Sequence, residues 1–150
     1  MRKYEKFITP VGFDARIIIT GGAPWFVGRE VAEALGYPDP DEAVERHVAD
    51  VDKKVSQENT PSGKQMVTFI NESGLYSLIF SSTLRKAQQF THMITAVMLP
   101  QLRETGRFIP SKATSEKLMA NQRCWETENA HRFNTFFSKL LEYQEKHEED

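Results

Sequence analysis

Between Phe69 and Gly106, helix-start signals, apolar stripes and a helix stop follow one another almost without a gap. That stretch limits the chain to a strand feeding consecutive core helices. Met66–Ile70 reads as the strand, since aromatic and β-branched residues favour a pleated surface. Asn71 suits the cap of the next helix, because its side-chain oxygen can accept from a backbone N–H in the first turn. Glu72 then places an anion where the helix dipole favours one. Leu75, Leu78 and Ile79 point inward at helical spacing. Ser81-Ser82 interrupts that helix, and Ser82 is the expected cap of a third. Leu84, Ala87, Phe90, Ile94, Val97 and Met98 recur at three and four residues, which predicts a core stripe. Pro100 is expected to interrupt the helix in the following turn. Leu102 continues the apolar pattern, and Gly106 ends it as a C-cap.

The N-terminal half reads as strands followed by two short helices. Glu5–Ile8 and Phe13–Thr20 are predicted strands, the second carrying Ile17, Ile18 and Ile19. Gly21-Gly22 can both take positive φ and so permit a tight hairpin turn into Ala23–Val27. Pro24 puts that returning strand at an edge or limits it to a short pairing. Gly28–Leu35 reads as a short helix with Val31, Ala32 and Leu35 on one face, stopped by Gly36. Asp39-Pro40 starts another, with Asp39 as cap and Pro40 at the first position, running through Ala43, Val44, His47 and Val48. Two short helices joined by a tight Gly/Pro turn have the outline of a helix-turn-helix, but structural packing is the favoured reading, because helical hairpins are common in proteins that never touch DNA. Gln57–Lys64 is a loop by composition.

After Pro110 the character changes. Ser111–Ala113 reads as a linker, and Thr114 to about His147 as one long helix. Its apolar residues include Leu118, Met119, Trp125, Phe133, Phe136, Phe137, Leu140, Leu141 and Tyr143. An isolated helix cannot bury these, so it must pack on the domain or on a second copy. The expected fold class is therefore α+β: a small antiparallel sheet with a hairpin, packed with several short helices, plus a long C-terminal helix. A domain over residues 1–110 and a helical tail over 111–150 are expected. Trp125, Phe133, Phe136, Phe137 and Leu140 are the candidates for self-association into a homo-oligomer.

Composition narrows the chemistry. At 150 residues and 39% hydrophobic, the chain can build a real core. The single Cys124 excludes an intrachain disulfide and fits a reducing compartment. No apolar run approaches the ~20 residues of a membrane helix, and the N-terminus lacks an apolar signal segment. A cytoplasmic protein is expected. His47, His92, His131 and His147 are scattered, with no Cys or carboxylate at metal-ligand spacing, so neither metal nor other cofactor is expected. No glycine-rich phosphate loop occurs, and Cys124 lacks a histidine in a nucleophile motif. Paired acids such as Asp39/Asp41 and Asp50/Asp52 fall near helix ends, where capping explains them. These absences argue against an enzyme and against a small-molecule substrate.

Charge is unevenly spread around the net −2. From Arg29 to Glu58 four basic residues face nine acidic ones, a net of −5. From Arg85 to Arg107 four basic residues face Glu104 alone, a net of +3. Phosphate contacts dominate DNA affinity, so Arg85, Lys86, Arg103 and Arg107 are the candidate DNA-binding residues. Glu30, Glu33, Asp41, Glu42 and Glu45 suit a basic patch on a partner protein.

Four strings carry a family resemblance, in family order: PWFVGREVAEALGY (Pro24–Tyr37), AVERHVADVDK (Ala43–Lys53), INESGLYSLIF (Ile70–Phe80) and FTHMITAVMLPQLRETGRF (Phe90–Phe108). Together they resemble the BRO-N domain of phage antirepressors and of the BRO proteins of large DNA viruses, over roughly Phe7 to Phe108. Where that family places a tryptophan with basic neighbours, this chain has Thr91, His92 and Met93, and where it places an acid and then a valine before the LP pair, this chain has Val97 and Met98. Where antirepressors of that family usually carry a larger C-terminal domain, a single helical tail is expected after Pro110. The resemblance implies a non-catalytic transcriptional regulator that binds DNA, a repressor protein, or both. It would act in a bacterial host's cytoplasm, or in a nucleus for a eukaryotic virus. A viral structural or host-interaction protein that does not bind DNA is the alternative.

Overall fold

The computed structural model describes residues 3–108 and 127–148. Strands β1 (Glu5–Ile8), β2 (Asp14–Thr20) and β3 (Ala23–Val27) lead into helices α1 (Gly28–Ala34) and α2 (Pro40–His47). A short 3-10 turn at Asp50–Asp52 precedes β4 (Lys53–Thr60) and β5 (Gly63–Ile70). Then come α3 (Glu72–Ser81), α4 (Arg85–Met93), a π-helical stretch (Ile94–Met98), α5 (Leu99–Thr105) and α6 (Thr127–Glu148). The strands form one five-stranded sheet in the order β1-β2-β3-β5-β4, with antiparallel pairing, so the α+β class holds. The chain packs as two compact units, one of Met1–Phe7 with Asp14–Thr83, the other of Ile8–Phe13 with Leu84–Asp150.

In the first unit the β2–β3 hairpin turns on Gly21 and Gly22, both at positive φ, which sets Thr20 opposite Ala23 and Ile17 opposite Phe26. β3 lies inside the sheet, yet it pairs with β5 only through Phe26↔Ile70 and Val27↔Phe69. Of the two roles open to Pro24, short pairing is the one realised. The pairing stops because the chain turns into α1 at Gly28. A Cβ there would lie 3.1 Å from Ile70 Cγ2, 3.2 Å from Val44 Cγ2 and 3.3 Å from the Thr68 carbonyl oxygen. Ile17, Phe26, Val31, Phe69, Ile70, Leu75, Leu78 and Ile79 are fully buried and form the core. Each such side chain contributes roughly 1.5–3 kcal/mol by leaving water.

The helix starts follow side-chain chemistry. Asp39 accepts from the Glu42 N–H at 3.2 Å, with Pro40 behind it. Asn71 accepts from the Gly74 N–H at 3.0 Å, and its amide donates to Asp52 Oδ1 at 3.1 Å. Asn71 therefore joins the start of α3 to the 3-10 turn. Asn71→Ala removes both bonds and is expected to lower stability by about 1–2 kcal/mol, read as a lower urea midpoint with an unchanged slope. No change in midpoint would mean that solvent replaces both bonds. The Tyr37 hydroxyl donates to the Leu78 carbonyl at 2.6 Å, and burial raises the pKa of that phenol.

Two expectations for this unit are corrected. Gln57–Lys64 is not a loop: it falls in β4 and β5, paired from Lys53↔Ile70 out to Thr60↔Gly63, with only Pro61 and Ser62 in the turn. The ribbon is polar on both sides, so it lacks the apolar alternation that reveals a strand. Ser82 does not cap the helix after it. It is the buried residue closing α3, in extended conformation, and its hydroxyl donates to the Leu35 carbonyl at 2.9 Å. That bond satisfies a carbonyl at the end of α1.

In the second unit α4 buries Ala87, Phe90 and Met93, while Leu84 is exposed and belongs to the cap position, not the stripe. Pro100 does not end the helix. The backbone stays right-handed helical through Ile94 and Leu99, and Pro100 falls in the first turn of α5. Proline lacks an N–H and its ring clashes with the carbonyl four residues back in an α-helix. The wider π-helical turns just before it relieve that conflict. Gly106, at φ 76°, closes α5 by donating its N–H to Leu102 at 2.8 Å.

Five phenylalanines bind α6 into this unit. Phe90 lies 5.6 Å from Phe133 and 6.4 Å from Phe137, between ring centroids. Phe108 meets the same two edge-on, at 6.1 and 5.8 Å. Phe136 packs edge-on against Phe137 at 5.1 Å. The predicted linker, Trp125 and the helix before Thr127 lie outside the described residues.

Candidate functional site

Six charged residues of the first unit converge on a cleft of about 740 Å³. One wall is the β4–β5 ribbon, through Glu58, Asn59, Thr60, Pro61 and Gln65–Thr68. The other is built from Tyr4, Arg16, Val27, the first turn of α1 and the outer face of α2. Four carboxylates line it, Glu30, Asp41, Glu45 and Glu58, against two guanidinium groups, Arg16 and Arg29. Three of the five acidic candidates, Glu30, Asp41 and Glu45, are thus brought together. Glu33 and Glu42 are exposed outside the lining.

The cleft charges are organised in pairs. Arg16 grips Glu30 with a fork, Nε donating to Oε1 at 2.9 Å and to Oε2 at 3.2 Å, while Nη2 also meets Oε1. The hydrogen bond to Glu30 raises the pKa of the guanidinium beyond its usual value. Arg16 also lies over the Tyr4 ring, 4.8 Å from its centroid. Arg29 reaches Asp41 at 3.7 Å, with both side chains largely exposed. Lys53 is the exception in burial. Its side chain is only 10% exposed, yet its ammonium sits 3.5 Å from Glu45 and 3.3 Å from Asp50. An exposed pair such as Arg29–Asp41 is worth about 0–1 kcal/mol, so an incoming cation can compete for Asp41 at small cost.

Arg16, Arg29 and Glu58 were not among the residues the sequence marked for the site, whereas Lys53, beside Lys54, was a weaker basic candidate set among acids. Arg16 and Glu58 lie far from α1 and α2 along the chain, and only the sheet order brings them near. A local signal existed for Arg16 alone, as the lone charge inside the strand pattern ARIIIT.

The four basic candidates fall at the two ends of the helical run from α4 to α5. Arg85 and Lys86 occupy the first turn of α4, which has no side-chain cap and no acidic residue. Two cations there oppose the helix dipole. The Lys86 side chain lies across Gly12, where a Cβ would come within 2.8 Å of its Cδ. Arg103, in the last turn of α5, pairs with Glu104 at 3.5 Å, and Arg107 follows Gly106, exposed. Helical rise alone would place Arg85 and Arg103 about 27 Å apart along a straight axis.

Of the tail candidates, Phe133 and Phe136 are fully buried, Phe137 and Leu140 are half-buried, and Trp125 lies outside the described residues. Among the described residues no group of three His, Cys, Asp or Glu is placed to hold a metal ion. No described helix is long and apolar enough to cross a membrane.

A small α+β domain with a two-stranded arm beside a charge-lined cleft is the class that fold and site define. The chain belongs to the BRO family: that family's N-terminal domain matches residues 14–100. It is 36% identical over 87 residues to an uncharacterised protein of Haemophilus influenzae, covering 58% of this chain and 43% of that one. It is 33% identical over 107 residues to putative Bro-N domain-containing protein 289L of Invertebrate iridescent virus 6, covering 59% of this chain and 26% of that one. Protein 201R of the same virus is 31% identical over 105 residues, covering 57% and 25%. The chain thus spans less than half the length of these relatives. No solved structure matches it.

Proposed function

We propose that the protein is an antirepressor-like transcriptional regulator that binds a basic surface of a repressor protein and catalyses no reaction. The observation that carries this reading is the convergence of Glu30, Asp41, Glu45 and Glu58 in one cleft of a BRO-family domain. A repressor's DNA-binding face is basic because it must meet phosphates, and such a face complements this wall. The compartment would be that of the repressed DNA: a bacterial cytoplasm for a phage, a nucleus for a eukaryotic virus. Self-association through α6 would use Leu140 and Leu141, since Phe133 and Phe136 are occupied within the unit.

DNA binding is the second reading, and the start of α4 favours it. An uncapped helix N-terminus carrying Arg85 and Lys86 offers backbone donors and two cations to a phosphate. A viral protein acting through host proteins alone is the third.

Co-elution with a panel of phage repressor DNA-binding domains separates these readings. The expected result is a complex that Asp41→Lys with Glu45→Lys abolishes and Arg85→Glu with Lys86→Glu leaves intact. A gel shift on mixed-sequence duplex DNA at low salt is the counterpart. Binding there that disappears with Arg85→Glu and Lys86→Glu, alongside no repressor complex, would make DNA the target.

A further inference from the structure

The wall that the ribbon gives to the cleft includes a strand edge. Successive side chains of a strand point to opposite faces, so a face would contribute only alternate residues. Here Gln65, Met66, Val67 and Thr68 all line the cleft, one after another. The pairing explains why. β4 occupies one side of β5 along its whole length, but β3 covers the other side only at Phe69 and Ile70. Among the described residues no strand pairs with β5 on that side between Gly63 and Thr68. That side of Gln65–Val67 borders the cleft, while the Thr68 carbonyl already lies beside Gly28 at the start of α1; most proteins cover, shorten or charge such an open edge.

We propose that this recess takes an extended, lysine- or arginine-bearing segment of a partner protein, which adds as a strand to β5 along Gln65–Val67. The backbone of the segment would pair with β5, as in other cases of strand addition. Its side chains on the inner side would fall toward α1 and α2, where Asp41 stands in a largely exposed pair and the exposed carboxylate of Glu45 meets the mostly buried Lys53. Charge selects the partner, because the lining carries four carboxylates and two guanidinium groups. The open strand sets its conformation. A helix laid in the same recess would leave the β5 edge unpaired. This inference rests on the protein-binding reading above and adds the backbone conformation of what is bound.

The test uses the full chain, labelled with nitrogen-15, and three short synthetic peptides. One alternates lysine with valine. The second has the same sequence with alternate backbone amides N-methylated, which keeps the charge but removes the donors a strand needs. The third replaces lysine with threonine. The expected result is that the first peptide shifts the amide signals of Gln65–Val67 and slows their hydrogen exchange, while the other two bind at least about tenfold more weakly. Asp41→Asn with Glu45→Gln should weaken the first peptide about fivefold, in keeping with partly exposed charges. Equal binding of the first two peptides would overturn strand addition and leave the acidic-surface reading standing. Equal binding of the first and third would overturn the charge selection. No shift with any peptide at millimolar concentration would overturn both readings. Shifts at Gln65–Val67 that grow with protein concentration alone would assign the edge to a second copy of the chain instead.

Discussion

Gly74→Ala is expected to destabilise the domain by about 1–2 kcal/mol, and Gly74→Val by about 3 kcal/mol or more. The sign is opposite to the usual one. At an exposed helix position, glycine to alanine stabilises by about 1 kcal/mol, because glycine loses more backbone freedom on folding. Gly74 lies in the first turn of α3 and is buried. A Cβ there would sit 2.9 Å from Ile70 Cβ and 3.0 Å from Val48 Cγ1. Ile70 is fully buried and paired to both β3 and β4, so its Cβ cannot swing aside. Overpacking of this sort costs about 1–3 kcal/mol per added group, which outweighs the gain in propensity. Urea unfolding followed by far-ultraviolet circular dichroism measures it. A variant at least as stable as the parent would show that α3 can lift away from β5 without loss.

The second large effect belongs to the other unit. Phe90→Ala is expected to cost about 3–5 kcal/mol and to loosen α6. Phe90 is fully buried, and its ring is the point where α4 meets Phe133 and Phe137. Most of the stability of a helix in a protein comes from packing its apolar face. Hydrogen exchange should therefore show the amides of Thr127–Glu148 losing protection in Phe90→Ala. Leu141→Ala, at a side chain 42% exposed, should leave them unchanged. Retained protection in Phe90→Ala would mean that Phe108 alone holds α6.

Much of this fold was legible because it is written in local chemistry. Gly21-Gly22, Asp39-Pro40, Asn71 and Gly106 each act within a few residues of themselves, and each does what its type and position imply. The unread parts depend on distant neighbours. The strands through Gln57–Lys64 are polar on both faces, and the apolar residues flanking them are exposed, Met66 at 67% and Val55 at 59%, so burial left no pattern to detect. Ser82 reads as a helix cap until Leu35 is known to lie beside it. Pro100 reads as a break until the turns before it are seen to widen. Gly74 carries no sign of crowding in the string ESGLYSL. The site divides along the same line. The excess of acid over Arg29–Glu58 was visible as composition, but the cleft itself needs Arg16 from β2 and the edge of β5.

In mechanical terms the β4–β5 ribbon is a cantilever. It is clamped to the rest of the sheet by two residue pairs, Phe26↔Ile70 and Val27↔Phe69. Its tip, at Pro61 and Ser62, stands roughly 25 Å out along the strands. Any load on the tip acts through that full lever arm on the clamp. The clamp adjoins Gly28, where α1 begins within van der Waals reach of Ile70 and the Thr68 carbonyl. A small deflection of the ribbon is therefore passed directly to the start of α1, and with it to Glu30 and Arg29.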